Sequence, residues 1–406
     1  MNCRHCGSGS LYPFLDLGFA PPSNAYLAKA DLSKPERYYP LRVMVCDECW
    51  LVQTEDYAGA DELFGPEYAY FSSTSPSWLE HAKLYTDQAI ESFLLDETSF
   101  VIEVASNDGY LLRNFVSAGI PCLGVEPTAS TACVAEKIGV PVLRDFFSEA
   151  LGKRLADEGR HADLIVGNNV FAHVPDINDF TKGLKAALKP TGIITLEFPH
   201  VMRLLEQAQF DTIYHEHFSY LSLYTASRIF ASAGLRIWHA EELPTQGGSL
   251  RVYGCHADDI RETTKALKVL LEEEAQRGMQ TLVPYSDFQP RADKIKNDLL
   301  EFLLKQKRAG KSVAAYGAAA KGNTLLNYAG VKPDLLPFVC DAAVAKQDKF
   351  MPGSHIPIMN PQMMLEVKPD YVLILPWNIA EEVKSQLSHK LLNTQFVAMV
   401  PELNVQ

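Results

Sequence analysis

Twice along this chain a short apolar run leads into a turn of small residues and then into an amphipathic helix. The first instance is residues 100–104 (FVIEV), followed by the turn Ala105-Ser-Asn-Asp-Gly109 and a helix reaching about Val116; the second runs from Ser312 through Gly317-Ala-Ala-Ala-Lys321 to Thr324. Runs of this kind, apolar on both faces and closed by a tight turn, suit parallel strands buried between helices. Parallel strands need crossover connections, so each array predicts an open α/β sheet with its ligand beyond the strand ends. A length of 406 residues with 47% hydrophobic content supports two or three domains with substantial cores.

In the first array the strand 122–125 ends in Glu126-Pro127, and an acid there is placed to accept hydrogen bonds from ribose hydroxyls. A third unit, 140–143, ends in Arg144-Asp145-Phe146-Phe147, an acid with aromatics suited to an adenine. The fourth strand, 162–167, leads into Asn168-Asn169-Val-Phe-Ala-His173-Val-Pro175. A GxGxxG turn would favour a dinucleotide, its diphosphate resting on the helix N-terminus. Here only Gly109 remains, and Asn107 and Asp108 stand where glycines would. A carboxylate suits a cationic ligand without phosphate, which points to S-adenosylmethionine (SAM). Helix 78–94 precedes this array, strand 193–197 and helix 224–233 follow, and strands 235–239 and 249–253 are expected to finish the sheet antiparallel. Between the last two, Gly247-Gly248 permits a close backbone approach to a ligand, or forms a plain turn.

Before this domain lie two CxxC pairs, Cys3/Cys6 and Cys46/Cys49, with 39 residues between them. In a reducing compartment such pairs hold metal more often than disulfides. Four thiolates complete the tetrahedral shell of a structural Zn²⁺ with no open position. A redox CxxC would open a helix after a strand and needs no second copy, and His5 is left as a bystander. The chain opens with no apolar h-region and contains no apolar run long enough to span a bilayer, so a soluble, cytoplasmic protein is expected, monomeric or weakly self-associating. A net charge of −13 argues against nucleic acid as a partner.

Between the two arrays, Tyr214-His215-Glu216-His217-Phe-Ser-Tyr220 concentrates two imidazoles, a carboxylate and two phenols. These groups exchange protons near neutral pH. His217 is the candidate general base, Glu216 the residue to fix its tautomer or stabilise its imidazolium, and Tyr214 a donor to a developing oxyanion. His173, beyond the fourth strand, faces the same crevice by topology, whereas His215, His200 and Tyr220 are expected in support.

The stretches from Glu103 to Gly109, Gly124-Val-Glu126-Pro127, Asn169 to Pro175 and Tyr214 to Phe218 resemble the class I SAM-dependent methyltransferases. Combined with the cysteine pairs and the downstream Gly317-x-x-x-Lys321 loop, the chain resembles the zinc-containing sugar C-methyltransferases over essentially its whole length. That resemblance implies an α/β protein with a four-cysteine zinc module (residues 1–75), a central Rossmann-like SAM domain (76–256), and a helical linker with a second Rossmann-like domain (257–406). It implies a nucleotide-linked 4-keto-6-deoxyhexose, of the dTDP class, as substrate, with methylation alpha to its ketone. Glu103, Ala105, Asn107, Asp108, Gly109, Glu126, Asp145, Phe146 and Asn168 would then meet the cofactor. A tyrosine of the Tyr68-Ala-Tyr70 loop would join the catalytic group, with either one able to face inward. Competing readings are an O- or N-methyltransferase on a related molecule and a non-catalytic nucleotide-sugar-binding protein.

In the C-terminal half, residues 257–279 and 291–308 read as linking helices. Small residues at a helix N-terminus beside one lysine make an anion site, though not with P-loop spacing. Lys321 is therefore expected to lead in gripping the substrate diphosphate, with Tyr316, Asn323 and Lys346 nearby. Strands 336–340 and 371–375 continue this second sheet.

Overall fold

A computed structural model describes residues 1–57, 59, 63 and 71–406; Tyr68 and Tyr70 lie outside the described residues. At the N-terminus β1 (Leu11–Ala20), β2 (Tyr39–Cys46) and β3 (Val52–Thr54) form an antiparallel meander. The second cysteine pair spans the end of β2 (Cys46) and the β2–β3 turn (Cys49), so strand pairing carries it back to the first pair.

The helix Pro76–Phe93 begins at Ser75, whose hydroxyl accepts from Trp78 N, the expected use of a serine N-cap. The central sheet follows: β4 (Val101–Val104), β5 (Cys122–Val125), β6 (Val142–Leu143), β7 (Ala162–Asn168) and β8 (Leu188–Pro199). Next in the chain is a two-residue strand, β9 (Ser219–Tyr220), and then β10 (Leu235–Leu243) and β11 (Ser249–His256). The order is β10-β11-β8-β7-β4-β5-β6, with β11 and β10 antiparallel as the pattern predicted. β9 does not join this sheet. It pairs with β3, so the strand just after the His-Glu-His segment belongs to the cysteine-bearing sheet.

The C-terminal sheet comprises β12 (Val313–Tyr316), β13 (Val339–Cys340), β14 (Ile358–Met359), β15 (Tyr371–Ile374), β16 (Gln395–Ala398) and β17 (Asn404–Val405). Its order is β14-β13-β12-β15-β16-β17, and all pairs are parallel except the last. Two expectations are corrected. The helix read over 257–279 is confined to Lys265–Gln276: Thr264 caps it, and upstream Asp259 binds Arg261 N in a local turn that competes with helix. The strand read over 336–340 shortens to Val339–Cys340, because Leu335 and Leu336 both bond back to Lys332 O and Pro337 offers no N–H.

The three units share cores. Phe14 of β1 packs on Phe288, at a ring distance of 4.8 Å, within one apolar cluster that reaches β12, β15 and β16. Cys3, Cys46 and Cys49 belong to a second cluster with the central sheet. The N-terminal module is thus wedged between the other two units. Among the described residues no helix is long and apolar enough to cross a membrane.

Candidate active site

The C-terminal ends of β4, β5 and β7 open onto a cavity of about 670 Å³, whose other wall comes from the loops after β12, β13 and β15. Two α/β sheets thus present their ligand-binding edges to one space.

The cysteine site stands behind this cavity. The four sulfurs lie within 4.8 Å of one another, Cys3 to Cys49 at 3.4 Å and Cys6 to Cys46 at 3.6 Å. Tetrahedral zinc thiolates place sulfurs about 3.8 Å apart, so the set fits that ion after a slight expansion. Cys49, sharing a hydrogen bond with Cys3 and buried, is held well above the ordinary thiol range while Cys3 is held below it. Without a cation between them, the sulfurs cannot all ionise. His5 is engaged elsewhere, its Nδ1 2.8 Å from Asn178 Oδ1.

In the cofactor half, Ala105 (φ 56°), Asn107 (φ 49°) and Gly109 (φ 77°) put three left-handed residues into one tight turn. Such non-glycine strain is characteristic of ligand-binding turns. Glu126 holds the turn, accepting from Asn107 N and Thr128 N at 2.9 Å each. A Cβ on Gly124 would lie 2.3 Å from Ser106 Oγ, so the turn packs onto β5 only because this residue is glycine. Ala105, Asn107, Glu126, Asp145, Phe146 and Asn168 line the cavity. Asn168 Nδ2 and Asn169 Oδ1 are buried there without a partner. Two carboxylates, unpaired amides and an aromatic face match a ligand bearing ribose, adenine and a cationic centre, which is the composition of SAM. Glu103, Asp108 and Gly109 lie off the cavity wall. Glu103 is buried under the turn, and burial, with Asp108 close by, raises its pKa well above normal. Asp108 accepts from Ser73 N and Oγ at 3.1 and 2.5 Å, and Asn107 Oδ1 accepts from Ser72 N at 2.9 Å. These bonds tie residues 72–73 onto the turn.

His217, Tyr214 and His173 all line the cavity. Tyr214 stacks on His217 with ring centroids 4.0 Å apart, and His173 meets it edge-on at 4.5 Å. His217 Nδ1 donates to Thr212 O at 2.8 Å, which leaves Nε2 as the basic nitrogen. The tautomer is therefore set by a backbone carbonyl. Glu216, expected in that role, is buried behind the wall, where it accepts from Asn24 Nδ2 at 3.3 Å and burial pushes its pKa to about 7. The reason is a tight turn: His217 N donates to Tyr214 O at 2.9 Å, which brings Tyr214 and His217 to the cavity and leaves Glu216, inside the turn, facing away. Burial keeps both histidines neutral, lowering His173 to about 4 and His217 well below its ordinary value. His215 turns away to Pro40 O at 3.2 Å, and His200 pairs with Glu274 at 2.6 Å, both outside this group.

Opposite, Tyr316, Lys321 and Lys346 line the cavity. Lys321 Nζ donates to Asn378 Oδ1 at 2.7 Å and lies 4.8 Å from the Trp377 ring; burial lowers its pKa to about 8. Lys346 donates to Ala318 O at 2.9 Å and approaches Asp341 at 3.4 Å. Asn323 is buried off the wall, donating to Ser23 O at 2.6 Å. Trp377 also donates to Asp211 Oδ2 at 2.8 Å, and Thr324 Oγ1 donates to Ile213 O at 2.8 Å. The residues flanking Thr212 on both sides are thereby tied to the C-terminal sheet. The close approach allowed by Gly247 is to Trp377, whose ring a Cβ there would meet at 2.3 Å.

Sequence reasoning missed Asn24, Asp211 and Thr212. Asn24 sits in an unpatterned stretch, and Thr212 acts through its carbonyl, which any residue would supply. The Asp211–Trp377 bond joins residues 166 positions apart.

Three family patterns tile the chain: a zinc-binding domain over residues 3–64, a methyltransferase domain over 78–240 and a C-methyltransferase C-terminal domain over 244–401. C-methyltransferase NovU of Streptomyces niveus is 35% identical over 404 residues, covering 99% of this chain and 96% of its own. Among solved structures, a SAM-dependent methyltransferase from Clostridium acetobutylicum aligns with 44% of this chain and 92% of its own, at 10% identity and a TM-score of 0.36. Magnesium protoporphyrin IX methyltransferase from Synechocystis aligns with 44% of this chain and 81% of its own, at 13% identity and a TM-score of 0.33. The full-length similarity, the three family patterns and the cysteine cluster agree: the chain belongs to the C-methyltransferase family and is a SAM-dependent methyltransferase with an N-terminal zinc-binding module.

Proposed function

We propose that the enzyme methylates the carbon alpha to the ketone of a nucleotide-linked 4-keto-6-deoxyhexose of the dTDP class, giving a branched deoxysugar. The observation that carries this reading is His217: a neutral imidazole on the cavity wall whose Nδ1–H is held by Thr212 O at 2.8 Å. Carbon methylation requires a base able to take a proton from carbon, a step that transfer to oxygen or nitrogen does not include.

His217 Nε2 takes the proton from the carbon beside the ketone, and the bonding electrons move onto the carbonyl oxygen. The Tyr214 hydroxyl, on the ring stacked against His217, donates to that oxygen as charge develops. SAM, which Glu126, Asp145 and Asn168 would hold, would supply an electrophilic methyl group. Attack by the enolate carbon would form the new C–C bond as the methyl's bond to sulfur breaks, its electron pair leaving on the neutral thioether S-adenosylhomocysteine, and the imidazolium releases its proton to solvent. Tyr316, Lys321 and Lys346 would receive the nucleotide diphosphate and sugar, with anionic oxygens supplying the counter-charge that no carboxylate among the described residues gives the buried Lys321 within salt-bridge range.

The test is exchange of carbon-bound hydrogen. In D₂O the enzyme should wash deuterium into a dTDP-linked 4-keto-6-deoxyhexose. With SAM added, the product should gain the mass of one CH₂ unit and carry its methyl on carbon. A panel that includes GDP-linked ketosugars defines the nucleotide. Methylated product without any exchange, the methyl on oxygen or nitrogen, would overturn the proposal.

A further inference from the structure

The first knuckle, Cys3-Arg4-His5-Cys6, does more than present sulfurs. Arg4 lies between two of the ligand positions, and its side chain is only 6% exposed although it carries a charge. Its guanidinium reaches both loops that carry the paired histidines. One amine donates to Pro175 O at 3.0 Å, two residues beyond His173. The other donates to Thr54 O at 2.9 Å and to Asp56 Oδ1 at 2.7 Å. The group also lies over the Phe218 ring at 5.4 Å, next to His217. Thr54, which Arg4 caps, continues the linkage: its Oγ1 donates to His217 O at 3.1 Å and its N donates to Phe218 O at 3.1 Å. The knuckle backbone is docked as well, Asn178 Nδ2 donating to His5 O at 2.8 Å and Arg4 O at 3.3 Å. The His173 and His217 rings also meet directly, the His173 ring bonds to the Glu216 backbone, and Val201 N donates to Leu221 O at 3.0 Å at the end of β8, so the knuckle adds to contacts that these segments already share.

We infer that Arg4 and Thr54 are positioning residues for the reaction: through them the cysteine-bearing module holds His217 against His173 at the cavity wall. This rests on the reading of His217 as the base. The chemistry favours arginine, because two amines held in one rigid fork reach two carbonyls and a carboxylate in different directions. A lysine ammonium in the same place would satisfy fewer of them. The functional consequence follows from the sensitivity of proton abstraction to misplacement by about 1 Å.

The experiment compares Arg4→Met, Arg4→Lys, Thr54→Val and Thr54→Ser in the full chain. The readouts are deuterium washout from the ketosugar across pH, SAM affinity, zinc per chain and titration of the histidine ring protons by NMR. Arg4→Met and Thr54→Val should lower the maximal washout rate by about 10- to 100-fold, with zinc retained and SAM affinity within about twofold of wild type. Thr54→Ser should restore the rate, and Arg4→Lys should fall between Arg4→Met and wild type. Loosening the contact admits water to His217, so the acid limb of the rate profile should move to higher pH. A variant that merely unfolds in part would scale the rate without moving that limb. Wild-type rates in Arg4→Met and Thr54→Val, or losses that track zinc and leave the limb unmoved, would overturn the inference. His217→Asn separates the two levels: if it too exchanges normally, the base assignment itself fails, and if it alone is inactive, only the positioning role does.

Discussion

Replacing His217 by Asn removes the proposed base while sparing most of what holds the segment in place. The wild-type ring contributes one hydrogen bond, Nδ1 to Thr212 O at 2.8 Å, worth about 1 kcal/mol net. An Asn amide can donate to the same carbonyl, so folding stability should change little. Alanine would lose that bond and open a void between Tyr214 and His173, mixing stability with chemistry. A positioned general base contributes about 10²- to 10⁴-fold, which is about 3–5 kcal/mol of transition-state stabilisation. Deuterium washout by His217→Asn should fall by that factor, and methyl transfer with it. SAM affinity should hold, because the contacts proposed for Glu126 and the turn at Ala105–Gly109 are untouched. Burial lowers the wild-type His217 pKa well below its ordinary value. The base therefore stays unprotonated as pH falls through about 6.5, and the acid limb of the wild-type washout rate should lie below that point. Washout at the wild-type rate in His217→Asn, or equal loss of washout and SAM affinity, would refute the assignment.

Other perturbations test the surroundings. Gly124→Ala puts a Cβ 2.3 Å from Ser106 Oγ and 2.8 Å from Ser106 Cβ, which should cost about 1–3 kcal/mol of stability and weaken SAM binding by calorimetry; adding Ser106→Gly should recover both. Trp377→Phe keeps a ring but strips the buried Asp211 carboxylate of its indole donor. Its expected cost is about 1–3 kcal/mol, seen as a lower Tm and reduced turnover with unchanged SAM affinity. His173 titrates near 4 in the folded chain because burial opposes its charge. The unfolded chain therefore binds that proton first, and wild-type stability should fall as pH drops from about 6.5 towards 4. In His173→Asn, the Tm-versus-pH curve should be flatter across that window, and an unchanged curve would contradict the burial argument. Finally, metal analysis should find one zinc per chain, and chelation should lower the Tm, since Cys3, Cys46 and Cys49 are core members as well as ligands.

What the sequence determined by itself was everything encoded in local periodicity and spacing. Apolar runs closed by small-residue turns announced β4 and β12 with their helices, and an acid ending β5 placed Glu126 at the cofactor turn. Two CxxC pairs 39 residues apart predicted four sulfurs that the fold brings within 4.8 Å. The same logic brought His217, Tyr214 and His173 to one crevice, since each follows a recognisable strand end or motif. What only the tertiary structure decided were contacts made by backbone or across long separations. The partner of His217 is a carbonyl, which has no sequence signature, so Thr212 could not be read and Glu216 was assigned its work. The turn closed by His217 N on Tyr214 O then faced Glu216 away from the cavity. The pairing of β9 with β3, the Arg4 fork to Pro175 and Thr54, and the Asp211–Trp377 bond each join segments from different units. Such bonds depend on how three packed layers are stacked. Stacking is governed by the summed burial of Phe14, Phe288 and their neighbours, a property of the whole surface and of no single motif.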